Sequence, residues 1–533
     1  MLPNLPDHYS TDALNLPVPM KEELDRLRTS HELYKLYAPE FDLYLSAYEG
    51  GNDFTNSKNI WKHVRENVED YKDRTDRVHY TNYCEPMISF FTNFIFSESI
   101  DRNGGANTTW YNEFTQNVNR KNENIDGFMR QVSDDMQIFG MAYILVDAPA
   151  LPDNLEQDNL SEADAKTLGL HPYWVLIKAT EITDWVVDDF DNFQYLKRLQ
   201  MLNRVTSEGI RKIEKYTEWY NDKIVITQID ITEPEKPTIY SKTEYVNALG
   251  VIPISVCRYK RSKRYPYMGN SFLRDFAANN REVMNLTSLI QEFLYRQCFN
   301  ILAVESESSI PLADQEDGVV GTANSLSYPK GAKEPKYITP PSDPAEFLQS
   351  ERASIVQEMF KRAAQDTINE LFNGGKSSGF SQAQSFSKTV PFISNRADTL
   401  EKTETTLMEL TLKFMGKVWD GKIKYKDRYE LTNLTDAITQ LVSLGRDLMI
   451  PSKTFIIEEL IRLIHEYDGK LDSDVMMKIE SEIRQLDFPE WQIQQQEALV
   501  GKGNSPAEQQ APKGTNTMSE VKSESVKATK KTK

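Results

Sequence analysis

The sequence predicts an α+β chain, mainly helical, built from long helices, an antiparallel β-rich region and smaller mixed and helical modules. Two observations carry this. Between Gly269 and Gly421 apolar residues recur at three- and four-residue steps over three long stretches, which is the period of an amphipathic helix. Between Tyr173 and Tyr259 the pattern changes to short runs rich in Val, Ile, Tyr and Thr, broken by turn residues such as Asn221-Asp222 and Glu233-Pro234, which reads as strands. At 533 residues the chain exceeds what one core supports, so two to four structural units are expected.

In chain order, residues 21–37 and 60–71 read as charged surface helices separated by a loop at Gly50-Gly51. Residues 83–96 read as a more buried helix, because Met87, Phe90, Phe91, Phe94 and Ile95 are too bulky to leave in water. Helices follow at 110–122 and 125–139. The run from Gly140 to Asp147 is continuous, apolar and β-prone, so it reads as a buried strand. After a polar loop at 149–169, strands are expected at 173–177, 185–187, 195–205, 213–219, 224–231 and 238–246. They would form one antiparallel sheet beside the N-terminal helices, closed by 252–259.

The first long helix carries Phe272, Phe276, Val283, Leu286, Ile290 and Phe293 on one face, with polar residues elsewhere. The second opens at Ser342-Asp343-Pro344, a capping side chain followed by proline at the first helical position, with Glu346 suited to the helix N-terminus. Its stripe is Val356, Phe360, Ala364, Ile368 and Leu371, and it stops at Asn373-Gly374-Gly375. The third has Ala397, Leu400, Leu407, Leu410, Phe414 and Val418 on one side and ends at Asp420-Gly421. Between the first two, residues 301–341 mix a short strand at 301–304 with Gly and Pro, a small irregular αβ module. Helices at 436–444, 452–465 and 473–486 form a compact helical cap, and the tail, poor in aromatics, reads as disordered. Stripes as narrow as those of the long helices bury too little by themselves, so these helices need neighbours.

The 80 acidic residues outnumber the 62 basic ones, a net charge of −18 that argues against a surface gripping nucleic acid, since phosphate affinity comes from Lys and Arg. Cys84, Cys257 and Cys298 make neither a disulfide framework nor a metal spacing, which suits an intracellular chain. No signal peptide is legible before Met20, and the most apolar window, Met87 to Phe96, is about half the length a membrane helix needs. The six histidines never fall at ligand spacing, so no metal or cofactor is expected, and no catalytic group stands out. Asn373-Gly374-Gly375-Lys376-Ser377 invites a phosphate-loop reading, but Glu370 stands where that motif needs glycine and a helix precedes it instead of a strand. The carboxylates at Asp188, Asp189 and Asp191 lack the glycine and distal glutamate of a calcium loop, so a solvated turn is expected. The densest positive patch is Arg258, Lys260, Arg261, Lys263 and Arg264, interleaved with Tyr259, Tyr265 and Tyr267. It suits phosphate contact or, better in so acidic a chain, pairing with acidic surface of a neighbouring subunit.

The order of these parts resembles the portal (head-to-tail connector) proteins of tailed bacteriophages. The resemblance rests on Phe90 to Phe96, Phe139 to Asp147, His171 to Ile177 with Ile182 to Trp185, the lead-in from Pro253 to Gly269, Ser377 to Ala383, and the helix from Asn395 to Trp419. It covers roughly Asn52 to Gly421 and is one of order and texture. It implies a wing at 1–269, stem helices at 270–300 and 344–372, a clip at 301–343, a tunnel loop at 373–390, a long helix returning to the wing at 391–421, a crown at 422–490 and a disordered tail at 491–533. It implies a non-enzymatic ring, commonly a dodecamer, at one capsid vertex of the virion, assembled in the host cytoplasm. Such a ring passes double-stranded DNA without reading its sequence and docks terminase, capsid and head-completion or adaptor proteins. Under this resemblance Gly374, Gly375, Lys376, Ser377, Ser378, Gly379, Gln382, Gln384 and Lys388 face the DNA, and Lys330, Lys333 and Lys336 of the clip meet partners. Another oligomeric virion component is the alternative, and an enzyme acting on nucleotide or nucleic acid a more distant one.

Overall fold

A computed structural model describes residues 18–149, 171–297, 301–303, 336–338, 343–363, 386–426, 429, 457–458, 461 and 473–485, except 57, 98, 208 and 248. The chain divides into a unit within 1–433 and a second within 434–533.

The first unit begins with helices α1 (Val18–Arg28) and α2 (Glu32–Glu49). The expected surface helix is thus two helices, broken where the His31 Nδ1 accepts the Leu33 N–H. α2 is no surface helix: Tyr34, Tyr37, Phe41, Tyr44 and Ala47 recur at helical spacing and are all buried. The next helix, α3 (Val68–Arg77), starts eight residues later than the sequence reading placed it. Asn67 caps it, its side chain accepting the Asp70 N–H, whereas Asn59, just before Ile60, spends its side-chain amide on the Phe54 carbonyl. α4 (Cys84–Ile95) is the buried helix, and strand β1 (Asp101–Asn103), α5 (Thr108–Phe114) and α6 (Ile125–Phe139) follow.

α6 runs into β2 (Met141–Asp147) through Gly140, whose φ of +82° ends the helix in a left-handed residue. β2 is buried along all but its last residue and is central in a three-stranded antiparallel sheet, between β3 (Tyr173–Ile177) and β9 (Ile254–Arg258). A separate five-stranded antiparallel meander runs β4 (Ile182–Val187), β5 (Phe193–Thr206), β6 (Gly209–Tyr220), β7 (Lys223–Asp230) and β8 (Thr238–Val246). The expectation of one sheet closed by 252–259 therefore fails. β9 pairs with β2, far away in sequence, and leaves β8 as an edge. The apolar run of β9 suits a strand buried on both faces, which a half-exposed meander cannot offer.

Three long helices complete the unit: α7 (Leu273–Gln297), α8 (Asp343–Arg362) and α9 (Val390–Phe414). α7 and α8 pack on each other, and the short strands β10 (Ile301–Ala303) and β11 (Lys336–Ile338) pair antiparallel between them. α9 stops at Phe414, before the expected end at Gly421, with Gly416 at φ +67° beyond it; Val418, assigned to its apolar side, is exposed. β12 (Lys422–Lys424) then pairs with β1, and Tyr425 and Tyr429 are buried in the main core. Residues 422–429 thus belong with the first unit, although the sequence reading grouped them with the helical cap. In the second unit α10 (Ser473–Gln485) is described, and Ile483 packs with Ile457 and Ile461. The stretches 364–385, 430–456, 459–460, 462–472 and 486–533 lie outside the described residues; on them fall the end of the second long helix, the tunnel loop up to 385, the cap helix at 436–444, most of the one at 452–465, and the tail.

Candidate functional site

The arrangement that stands apart is the root of α7 and α8, where two long helices leave the core. Gly140 and Gly269 touch there. A Cβ on Gly269 would sit 2.0 Å from the Gly140 carbonyl oxygen, and one on Gly140 would meet the Asn270 and Ser271 backbone at 2.6 Å. That close approach lets the end of α6 hold the start of α7. The Phe272 N–H donates to the Gln137 carbonyl at 3.0 Å, and the Ser271 hydroxyl donates to the Ile138 carbonyl while accepting the Leu273 N–H at 2.9 Å. One set of atoms ends one helix and caps the next.

Further along, α7 is bolted to the segment 59–83 by polar side chains that are themselves buried. Asn280 accepts the Tyr83 N–H at 2.9 Å and donates to the Thr81 carbonyl at 2.9 Å. Asn285 accepts the Trp61 N–H at 2.8 Å and donates to the Asn59 carbonyl at 2.9 Å. Ser288 accepts from Arg74, which is buried and pairs with Glu66 at 2.7 Å. The hydrogen bond from Arg74 holds the Glu66 carboxyl below its ordinary range despite partial burial. Arg77 pairs with Glu292 at 2.6 Å and lies 4.1 Å over the Tyr295 ring. These groups close a small cleft of about 230 Å³ in which every charge has an opposite partner.

Apolar burial fades along both helices away from the root. On α7, Leu273, Ala277, Val283 and Met284 are buried, whereas Leu289, Leu294 and Tyr295 are 41%, 52% and 58% exposed. On α8, Met359, Phe360 and Ala363 are buried at the C-terminal end and Phe347 is 69% exposed near the start. The expected face of α7 is therefore buried only in part: Phe272, Phe276, Val283 and Ile290 are covered, and Leu286 and Phe293 are half-buried.

The start of α9 is held by one residue. Arg396 is buried, and among the described residues no carboxylate pairs with it: its Nε donates to Gln137 Oε1 at 2.9 Å, Nη1 to the Phe392 carbonyl at 2.7 Å and Nη2 to the Tyr259 hydroxyl at 3.3 Å. Its guanidinium lies 3.8 Å over Phe91, 4.6 Å over Tyr259 and 5.2 Å over Phe272. Burial pulls its pKa down to about 10. Both ends of the stretch 364–385 land beside α4, since Phe360 meets Tyr83 edge-on at 6.2 Å and Phe386 packs on Phe94 at 5.1 Å.

Of the residues singled out from the sequence, Gly374, Gly375, Lys376, Ser377, Ser378, Gly379, Gln382, Gln384, Lys330 and Lys333 lie outside the described residues. Lys388 is exposed just before α9, and Lys336 opens β11 opposite Ala303. Within the basic patch the residues differ in their surroundings. Arg258 turns inward, donating to the Tyr267 carbonyl at 2.9 Å and lying 4.9 Å over its ring; Arg261 pairs with Asp191; Lys260, Lys263 and Arg264 are exposed. Arg261 therefore finds its acid inside its own chain, in the turn of carboxylates. There Asp188 accepts the Phe190 and Asn192 N–H groups at 2.8 Å, so its carboxyl serves as a turn cap, as the solvated-turn reading expects.

No known family's sequence profile matches this chain, and neither does any curated relative. Solved structures do. The chain is similar to one in the virion of a native gene transfer agent particle, at 9% identity and a TM-score of 0.39, covering 76% of this chain and 94% of that one. It is similar to the same degree to a chain in the neck of an empty gene transfer agent particle computed with C6 symmetry, at 9% identity and a TM-score of 0.39, covering 76% and 95%.

Sequence reasoning missed Asn280, Asn285, Ser288, Gln137 and Arg396 because it counted apolar positions only. The available signal was polar residues standing on or beside the apolar stripe of α7, where Asn280 and Asn285 replace expected aliphatic side chains. Chemically the root is a fastening. Cys84 and Cys257 are buried, with their thiols pushed up to about 12, which leaves them inert as nucleophiles. Among the described residues no cluster of His, Cys, Asp and Glu could hold a metal ion, and no helix is long and apolar enough to cross a membrane.

Proposed function

We propose that this chain is a structural, non-enzymatic subunit of a closed ring in a phage-like particle, a portal whose axis is a path for double-stranded DNA. One observation carries the reading: a pair of long helices is fastened rigidly at its root while the apolar residues of its outer half, Leu289, Leu294, Tyr295 and Phe347, remain exposed. Leaving those side chains in water sacrifices roughly 1–2 kcal/mol each. Side-by-side copies of the same helix pair bury them in a closed heterologous interface. The net charge of −18 fits a wall that repels a sliding duplex. In this reading the loop that faces the duplex is the one at 373–390, as the resemblance implies, and the β10–β11 end of the helix pair is the docking end.

The test is mass photometry and negative-stain imaging of the purified chain, alone and co-expressed with its particle's capsid proteins. Annular particles with a central hole are expected. A single-protomer mass under both conditions defeats the ring. Imaging of assembled particles separates the portal from another virion component: density at a single vertex is expected, and copies spread over the shell or along a tail favour the alternative.

A further inference from the structure

The meander has one covered edge and one open one. At β4 the His31 N–H donates to the Thr183 carbonyl at 2.9 Å and the Tyr34 hydroxyl to the Thr180 carbonyl at 2.8 Å, so the start of α2 lies over that edge. At the other end β8 pairs with β7, and among the described residues no strand pairs with its outer side. The pair just beyond the end of β8 sets its hydrogen-bond phase. There the Asn247 N–H donates to the Asp222 carbonyl at 2.8 Å, next in register after Val246 opposite Lys223. Because residues of an antiparallel pair alternate, Tyr245 and Thr243 turn their backbone groups toward β7, and Val246, Glu244 and Lys242 turn theirs outward.

The residues on that edge are complementary to themselves. Two copies of β8 laid antiparallel about Thr243 set Lys242 opposite Glu244, Thr243 opposite Thr243 and Ser241 opposite Tyr245. Lys242 and Glu244 are the positions with outward N–H and C=O groups, so each such pair exchanges two backbone hydrogen bonds. Beyond Ser241 the ladder with β7 shifts by one residue, Ser241 standing opposite Gln228 and Ile239 opposite Ile229. Lys242 stands opposite Thr227, two positions from Ile229, so the shift returns Ile239 to the side of Lys242. It then comes opposite Val246 of the second copy, and these two side chains are 42% and 86% exposed. Opposite charges, threonine on threonine and apolar β-branched residues all stabilise antiparallel neighbours. The two nearest registers that keep outward groups facing each other put Lys242 on Lys242 or Glu244 on Glu244, and like charges directly opposite oppose pairing. A lysine on an edge ordinarily deters a partner. Here Glu244 answers it. Lys242 bonds Glu23 at 2.9 Å and Glu244 bonds Lys223 at 3.3 Å, yet both side chains are half exposed and open to a further partner.

We propose that the open edge of β8 binds the same edge of a second copy of this chain, in an antiparallel two-fold contact centred on Thr243 that joins two meanders into one continuous sheet. Backbone hydrogen bonds supply the affinity, and the Lys242–Glu244 pairs fix the register. The inference goes beyond the ring reading and stands without it. A two-fold contact brings a residue against itself, which the heterologous contact of a ring does not.

That difference supplies the test. Facing residues of a pair without mutual hydrogen bonds lie about 4.5 Å apart at Cα, within reach of a disulfide. The full chain carrying the exposed substitution Thr243→Cys is therefore expected to form a covalent dimer under mild oxidation, read on a non-reducing gel. Val205→Cys, at the equally exposed tip of β5, measures chance collision and is expected to stay mostly monomeric. Adding Lys242→Glu or Glu244→Lys to Thr243→Cys is expected to abolish the dimer, and mixing those two double variants to restore it, since every glutamate then meets a lysine. Equal linking at 243 and 205, or linking indifferent to the charge reversals, overturns the proposal. A second measurement needs no substitution: exchange of the Lys242, Glu244 and Val246 amides should slow about tenfold as protein concentration rises, and rates independent of concentration also overturn it. Rings that form without the Thr243→Cys link end this inference and leave the ring reading standing.

Discussion

Helices α7 and α9 are both 25 residues long and share an amphipathic period, yet the fold treats them oppositely. α9 is buried along one face from Ile393 to Leu412, with Glu404 wholly covered and gripping Arg102 at 2.6 Å, and Thr411 accepting the Trp174 indole N–H at 2.8 Å. α7 is buried at its start, bolted by asparagines in its middle and bare at its end. Helices with the same pattern therefore need not have the same role. What separates them is whether the rest of the chain reaches along their full length.

The contrast can be broken most forcefully at Arg396. Arg396→Ala opens a cavity between three rings and strands Gln137 Oε1, so we expect a loss of about 3 kcal/mol or more in urea unfolding; a loss under 1 kcal/mol contradicts a fastening role. Asn285→Ala unties the middle of α7, at about 1–2 kcal/mol, with faster amide exchange across 59–62; unchanged exchange there shows the bolt to be idle.

A third effect is electrostatic. Burial raises Asp134 to about 6 and Asp135 to about 7, with Asp134 also accepting the Thr92 hydroxyl at 2.7 Å. Folding holds these protons more tightly than the unfolded chain does. Stability contributed here is therefore present near pH 4 and lost as pH rises toward 7. Glu23, held at about 2 chiefly by Arg26, works the other way and matters below about pH 4. Asp135→Asn is expected to flatten the decline between pH 5 and 7 and to stabilise the chain at pH 8 by about 1 kcal/mol; a slope identical to the parent's rules this out. The smallest effect on the protomer is the sharpest for its role. Leu294→Asp, on the bare end of α7, should move protomer stability by no more than about 0.5 kcal/mol while abolishing annular particles, and rings that form normally place the interface elsewhere.

Legibility followed the range of the interactions. The strands from Tyr173 to Val246 were readable because alternation and turn residues are local, and β2 because a continuous apolar run has one explanation. The tyrosine stripe of α2 began in the sequence at Tyr34 and Tyr37, but within the charged run from Lys21 to Tyr37 it read as surface, and its continuation at Phe41 and Tyr44 was not assigned to a helix. The root was least legible. Its holding residues are polar, and a polar residue reveals its burial only when its hydrogen-bond partner, more than a hundred positions away, is known.

The sequence by itself determined the kinds of element and their order, helix or strand, and that three long helices with narrow stripes would need neighbours, while several boundaries, such as the start of α3 and the end of α9, shifted. The tertiary structure alone decided which strand joins β2, that Arg261 finds Asp191, and that α9 is enclosed while the end of α7 stays bare. Periodicity is set by bonds between near residues, whereas burial is set by which distant surfaces arrive, and no local pattern encodes that arrival.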